Sequence, residues 1–134
     1  MSVSIGVGDA AGSQLWPVEA EPSLWLDSDG YYWYLHPLFE KLRDETGEYV
    51  DLYGDAWFDG DNLEAFQRML EQARNLVSQE PESWQVHTGT QIQPEHKELY
   101  AEVTKERFLE LLSSLNKIAN RAKELGRRVV CFGD

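Results

Sequence analysis

The stretch TKERFLELLSSLNKIANRAKELGRRVVCF, residues 104–132, decides the fold class that this sequence predicts. Thr104 is a typical helix N-cap, and apolar residues then recur every three or four positions up to Gly126. This pattern predicts an amphipathic helix over about 105–125. The apolar run at 129–132 predicts a buried strand directly after it. A long amphipathic helix leading into a buried strand indicates a layer of helices packed on a sheet.

Hydrophobic periodicity also predicts a second long helix, over about 62–79. Asp61 followed three residues later by Glu64 resembles a capping box, which satisfies the free backbone N–H groups at a helix start. Residues 97–103 alternate like a strand but are also spaced for a helix, so both interpretations stay open there. The other predicted elements are strands over about 2–7, 49–53, 84–90 and 98–103, and loops over 8–22 and 54–60.

Aromatic and apolar residues form two strand-favouring runs, at 24–26 and 31–35, on either side of the turn sequence DSDG at 27–30. Asp and Ser side chains hydrogen-bond within turns and glycine adopts positive φ, so this stretch predicts a β-hairpin. A proline then opens a short helix over about 37–46, which ends at Gly47.

These elements run in the order β-β-β-α-β-α-β-β-α-β. A length of 134 residues suits one domain with its own hydrophobic core, and no linker divides the chain, so we predict a single domain over 1–134. The simplest architecture that buries every apolar stripe is an α+β fold. In it, three amphipathic helices pack on one face of a mixed, largely antiparallel sheet.

Charge is the strongest functional signal in the sequence. Twenty-four acidic side chains against 12 basic ones give a formal net charge of −12, and the excess of acid lies within residues 1–95. Because a surface this negative repels phosphate groups, it argues against binding to nucleic acid or to anionic membranes. It favours a basic protein partner, a cation, or no partner beyond solvent.

Two features predict the cellular compartment. No apolar run approaches the roughly 20 residues that span a bilayer, and the first residues do not read as a secretory signal. Cys131 is the single cysteine, so it has no partner for an internal disulfide. Both features are typical of a cytoplasmic protein.

Carboxylates cluster between residues 51 and 61, at a predicted junction of strand and helix. Asp55, Asp59 and Asp61 lie there, where α/β proteins commonly place ligands. Their oxygens could hold Mg²⁺ or Ca²⁺, or could serve acid–base chemistry. Turn geometry and the helix dipole explain the same residues without a ligand, and the spacing fails the EF-hand pattern. We therefore predict no metal and no cofactor; if a metal binds, these three carboxylates are its ligands.

His87 is the histidine best placed to join this cluster. It lies in the predicted strand over 84–90, where polar side chains follow it. If that strand neighbours the one that precedes the cluster, His87 and either Asp55 or Asp59 form a general base and its orienting carboxylate. The alternative is a histidine on an edge strand, exposed to water.

Aromatic residues supply a candidate binding surface. In the predicted hairpin, alternation sends Tyr32 and Tyr34 to one face and their neighbours to the other. One of the two faces is exposed unless another element covers it. Exposed aromatic side chains among carboxylates are typical of protein-binding hot spots, and Trp57 lies within the acidic stretch. The predicted partner-binding residues are Tyr32, Tyr34, Asp55, Trp57, Asp59 and Asp61.

In its small size, acidity and aromatic content, the chain resembles bacterial immunity proteins that neutralise toxins, and other small acidic inhibitors. The resemblance implies a non-enzymatic module that masks a basic partner surface, with negative charge that accelerates association. A second hypothesis is a small hydrolase or metal-assisted enzyme that uses Asp55, Asp59 and His87. A third is a structural or oligomerising domain with an apolar patch. An enzyme needs its polar groups to converge in a pocket, whereas a binding module spreads them over an open surface.

Overall fold

The computed structural model describes residues 2–8, 23–92 and 94–133. The predicted loop over 8–22 lies outside them except at Gly8, which ends the first strand. The elements are β1 (Ser2–Gly8), β2 (Ser23–Asp27), α1 (Gly30–Thr46), β3 (Asp55–Phe58), α2 (Gly60–Ser78), β4 (Ser83–Gln91), β5 (Lys97–Thr104), α3 (Lys105–Glu124) and β6 (Arg128–Gly133).

The strand pairs of the described residues are all antiparallel. Four strands form one sheet in the order β2-β1-β6-β3, and β4 pairs with β5 in a separate two-stranded sheet. The predicted α+β class is confirmed, with the strands divided between two sheets. Among the described strands, β3 lies at an edge of the larger sheet, so one side of its backbone pairs with none of them.

The three helices cover one face of the four-stranded sheet. Helix α3 packs against β1, β2 and β6, α2 packs against β3 and β6, and α1 lies against β2, α2 and the β4–β5 hairpin. Cross-strand neighbours Val7, Val129 and Phe58 face the helices and are fully buried. Such burial supplies the main driving force for the fold, at roughly 25 cal/mol per Å² of apolar surface.

Residues 31–35 are helical, so the predicted hairpin is wrong. Strand β2 pairs with β1 instead, and the turn sequence begins helix α1. Asp29 is the N-cap: its Oδ1 accepts hydrogen bonds from the backbone N–H groups of Tyr31 at 3.0 Å and Tyr32 at 3.4 Å. These two bonds satisfy donors that the start of a helix leaves free.

Helical spacing explains why the aromatic run does not form a strand. Four residues three or four positions apart are all buried on one side of α1: Tyr32, Leu35, Phe39 and Leu42. Their joint burial outweighs the strand preference of the aromatic residues. Pro37 therefore lies inside the helix rather than in its first turn, whereas the end at Gly47 is confirmed by that residue's left-handed φ of 81°.

Most of the other predicted elements are confirmed, with small shifts at their ends. Residues 97–103 form a strand, since β5 pairs with β4 along its whole length. Helix α2 begins after Asp59 rather than Asp61, so Asp61 occupies the first turn. The confirmed elements are the helices predicted over 62–79 and 105–125 and the strands predicted over 2–7, 84–90, 98–103 and 129–132.

The predicted strand over 49–53 is wrong. Val50 and Leu52 are buried while Tyr53 is exposed, which produces the alternation of a strand, but this segment pairs with none of the described strands. The strand lies a few residues later, at Asp55–Phe58, where a loop was predicted. Alternating burial alone does not make a strand unless a neighbour supplies backbone hydrogen bonds.

Gly133 allows the end of β6 to lie directly against the segment that precedes β3. Its N–H donates to the carbonyl of Gly54 at 2.8 Å. A Cβ at this position would lie 2.5 Å from the backbone oxygen of Asp51 and 2.5 Å from the backbone nitrogen of Gly54. Because backbone atoms cannot move aside as a flexible side chain does, only glycine fits here.

We expect Gly133→Ala to lower the free energy of unfolding by roughly 1–3 kcal/mol, because the added methyl group forces two backbone segments apart. Gly89→Ala is the matched control. A Cβ at Gly89 meets no heavy atom of the described chain within 4 Å, so its change is expected to stay within about 0.5 kcal/mol. Urea denaturation followed by circular dichroism measures both variants, and equal stabilities would contradict the close packing at Gly133.

Candidate functional site

Residues 48–61 form an acidic edge, a name used below for this segment. It contains five carboxylates and neither lysine nor arginine within 14 residues. It runs from the end of α1, through edge strand β3, into the first turn of α2. The carboxylates belong to Glu48, Asp51, Asp55, Asp59 and Asp61.

Contacts at three points hold the first half of the acidic edge in place. The hydroxyl of Tyr32 donates to the carbonyl of Val50 at 2.9 Å, in a buried environment. Buried Leu52 anchors the next turn, and the carbonyl of Gly54 accepts from the end of β6. The backbone N–H of Tyr53 donates to the carboxylate of Asp51 at 3.2 Å. The segment is therefore ordered by side chains and single hydrogen bonds rather than by a strand ladder.

Two aromatic side chains of the acidic edge are exposed. Tyr53 is 65% exposed, and Trp57 is 38% exposed on the outer face of β3. The guanidinium carbon of Arg128, a buried residue of β6, lies 5.6 Å from the centre of the Trp57 ring. This cation–π contact holds the indole against the sheet. Asp55, on the same face of the strand, is exposed beside it.

The open backbone of β3 is partly occupied by a carboxylate. Glu48 accepts a hydrogen bond from the N–H of Trp57 at 3.4 Å. A charged side chain at this position discourages pairing with a strand of another molecule. The exposed side chains of β3 are therefore better placed for recognition than its backbone.

The second half of the acidic edge faces positive charge. Asp59 is the N-cap of α2, although its side chain makes no capping hydrogen bond to the described residues, and Asp61 lies in the first turn. Both line a groove of about 380 Å³ together with Lys123 of α3 and Arg127, which lies between α3 and β6. These cations offset part of the charge of Asp59 and Asp61.

Tyr32 and Tyr34 are not exposed anchors, so this part of the predicted binding surface is wrong. Both belong to α1; Tyr32 is buried, and the hydroxyl of Tyr34 donates to Glu80 at 3.3 Å. Burial, with smaller effects from Glu80, raises the pKa of Tyr34 from 10.0 to about 12. Burial also raises the pKa of Tyr32, with a smaller effect from Tyr49.

His87 does not lie beside Asp55 or Asp59. It belongs to β4, which pairs with β5 and not with the four-stranded sheet, so the strand neighbours required for the predicted pair are wrong. Its Nε2 lies 2.5 Å from Oε2 of Glu98, which also accepts from the hydroxyl of Thr90 at 2.9 Å. The hydrogen bond from Thr90 and the one with His87 lower the pKa of Glu98.

Of the predicted site residues in the acidic edge, Asp55, Trp57 and Asp61 are exposed, while Asp59 is half-buried. No group of three His, Cys, Asp or Glu side chains is arranged to hold a metal ion within residues 2–8, 23–92 and 94–133. No helix among those residues has the length and apolar character that a membrane crossing requires.

The sequence predictions missed Tyr53, Glu48 and Arg128. The alternation over 49–53 predicts a strand that includes Tyr53. Gly54 and Asp55, which follow it, are residues typical of turns and therefore indicate an exposed position. Nothing in the sequence indicated Arg128, because its contact with Trp57 depends on the pairing of β3 with β6.

Comparisons with known proteins yield no relative for this chain. No protein-family model matches it, and no curated protein or solved structure is significantly similar to it. Function is therefore inferred from the geometry of the chain itself.

The raised pKa of Tyr34 predicts a loss of stability in alkaline solution. Below pH 10 the hydroxyl keeps its proton in both states, but between about pH 10 and 12 it ionises more readily in the unfolded chain. The free energy of unfolding should therefore fall over this range. Urea denaturation between pH 8 and 12 measures the fall. Tyr34→Phe should show a shallower one, and identical pH profiles would contradict the prediction.

Proposed function

We propose that this chain is a non-enzymatic protein-binding module that uses the acidic edge to mask a basic surface of a partner protein. The observation that carries the proposal is the exposure of Tyr53 and Trp57 within a segment that holds five carboxylates. Aromatic anchors surrounded by polar residues are the usual composition of binding hot spots.

The charge distribution supports a basic partner. With a net charge of −12, the chain attracts positively charged proteins over distances of about 10 Å at moderate salt. Glu48, Asp51 and Asp55 lie on the same segment as the two anchors, so attraction would orient that segment towards the partner. Inhibitors of the immunity type work in this way, and we assign the chain to that functional class.

The anchors are preorganised before a partner arrives. Arg128 holds the ring of Trp57, and the turn around Asp51 holds the backbone of Tyr53. A side chain already fixed in its bound position loses less conformational entropy on association. The buried free thiol of Cys131 is in keeping with a reducing, cytoplasmic location, which we include in the proposal.

The geometry favours binding over the enzymatic hypothesis. Asp55 lies on an open strand edge, Asp59 and Asp61 line a different groove, and His87 belongs to the other sheet. An acid–base site requires such groups within hydrogen-bond reach of one substrate atom. Here they are spread over a surface, as a binding module requires.

An oligo-arginine peptide tests the proposal, with an oligo-glutamate peptide as the negative probe. Titration of the ¹⁵N-labelled protein should shift amide signals of residues 48–61 first. Raising the salt from about 0.05 to 0.5 M should weaken binding at least tenfold, because the attraction is screened. Shifts spread evenly over the acidic side chains of the whole chain would contradict a dedicated binding edge.

Matched variants separate the anchors from general acidity. Tyr53→Ala combined with Trp57→Ala should weaken binding roughly tenfold, in the range typical of hot-spot side chains. Tyr100→Ala removes an aromatic side chain of similar exposure, 60%, from the hairpin and should leave binding unchanged. Asp55→Asn should weaken binding more than Glu71→Gln on the exposed side of α2. Equal effects of the double variant and of Tyr100→Ala would overturn the assignment of the anchors.

A further inference from the structure

Glu40, His36 and Tyr49 form a line of polar side chains between α1 and the start of the acidic edge. Nδ1 of His36 lies 3.4 Å from Oε1 of Glu40, and Nε2 of His36 lies 2.6 Å from the hydroxyl of Tyr49. A carboxylate, an imidazole and a hydroxyl in this order are the arrangement by which proteins activate a nucleophile.

The direction of the hydrogen bond between His36 and Tyr49 follows from the charge of Glu40. A carboxylate attracts an N–H group, so Glu40, 3.4 Å from Nδ1, favours the tautomer of neutral His36 that carries its proton on Nδ1. Nε2 is then an acceptor, and the hydroxyl of Tyr49 donates to it. His36 is therefore oriented to remove the phenol proton of Tyr49.

The segment that holds Tyr49 has other attachments besides its bond to His36. Tyr32 already binds the carbonyl of Val50, and Gly133 binds the carbonyl of Gly54. Tyr49 is only half-buried, and the side chain of His36 is 24% exposed, so a small reagent has access to the pair. A purely structural bond would not require an imidazole with a carboxylate behind it.

The charged side chains around Tyr49 select the reagent. The guanidinium carbon of Arg43 lies 5.0 Å from the centre of the Tyr49 ring. Nη2 of Arg43 lies 4.0 Å from Oε2 of Glu40. Tyr32 lies beside this pair, and Tyr49 and Asp51 both help to raise the pKa of Tyr32, after the larger effect of burial. The carboxylates of Glu40 and Asp51 repel anionic donors such as nucleotides, so a neutral donor is favoured.

We propose that Tyr49 is a base-activated nucleophile, and thus a modification site, that accepts an acyl or sulfonyl group from a neutral donor. The phenol oxygen bonds to the acyl carbon or the sulfonyl sulfur, the bond to the leaving group breaks, and Nε2 of His36 takes the phenol proton. The leaving group departs with the electron pair of that bond. Glu40 is a positioning residue that keeps the acceptor nitrogen of His36 towards Tyr49. The proposal is independent of the partner-binding function.

Benzenesulfonyl fluoride is the probe, because it is neutral, transfers a sulfonyl group to tyrosine and releases fluoride. The intact protein is treated with the reagent, and peptide mass spectrometry then measures the labelling rate of each tyrosine. Tyr49 should react at least tenfold faster than Tyr53 and Tyr100, although these are more exposed, at 65% and 60%. Slower labelling of Tyr49 than of Tyr53 would overturn the proposal.

Variants distinguish base activation from simple exposure. His36→Gln keeps a hydrogen-bonding side chain but removes the base, and it should reduce labelling of Tyr49 at least tenfold without changing that of Tyr53. Glu40 lies on the exposed side of α1. Its substitution Glu40→Gln should alter how the labelling rate of Tyr49 depends on pH. A rate unchanged by His36→Gln, in a variant with a wild-type circular dichroism spectrum, would show that Tyr49 is not activated.

Discussion

The capping of α1 by Asp29 is the interaction on which the acidic edge depends. Once the helix begins at Gly30, Tyr32, His36 and Glu40 follow at intervals of four and lie on one face. From that face Tyr32 reaches Val50 and His36 reaches Tyr49, so the segment before β3 is attached to the helix. In a strand, residues four apart would also share a face, but they would lie about 13 Å apart rather than about 6 Å. Tyr32 and His36 can therefore contact Val50 and Tyr49, two adjacent residues, only when residues 32–36 are helical.

Polar groups at this junction are buried and satisfied. Burial raises the pKa of Asp29, while the hydrogen bonds from Tyr32 and Tyr31 act in the opposite direction. The hydroxyl of Tyr32 is buried but donates to a backbone carbonyl that no strand ladder uses. Because an unpaired buried polar group is costly, these bonds specify one arrangement of helix and segment.

The distribution of charge divides the acidic edge into two parts. Lys123 and Arg127 lie beside Asp59 and Asp61, at the end of the longest helix. Glu48, Asp51 and Asp55 belong instead to the same segment as the exposed rings of Tyr53 and Trp57. A net charge of −12 opposes compaction through self-repulsion, and local pairs such as Arg68 with Glu45 at 2.6 Å relieve part of it. In the proposed function, the carboxylates of this first part attract the partner.

The sequence by itself determined the elements whose periodicity is long or whose pairing is local. Helices α2 and α3, strands β1, β4 and β6 and the α+β class all follow from repeats of apolar residues and from caps and turns, whereas residues 97–103 suit a strand or a helix until β5 pairs with β4. Tertiary structure decided the rest. The aromatic run at 31–35 suits either a helix or a strand, and burial of Tyr32 against the core selects the helix. The composition of the acidic stretch points to Trp57 as an exposed aromatic residue. Its contact with Arg128, and the separation of His87 from Asp55, depend on which strands pair. Strand pairing joins residues far apart in the chain, so the periodicity of a short segment does not predict which strands pair.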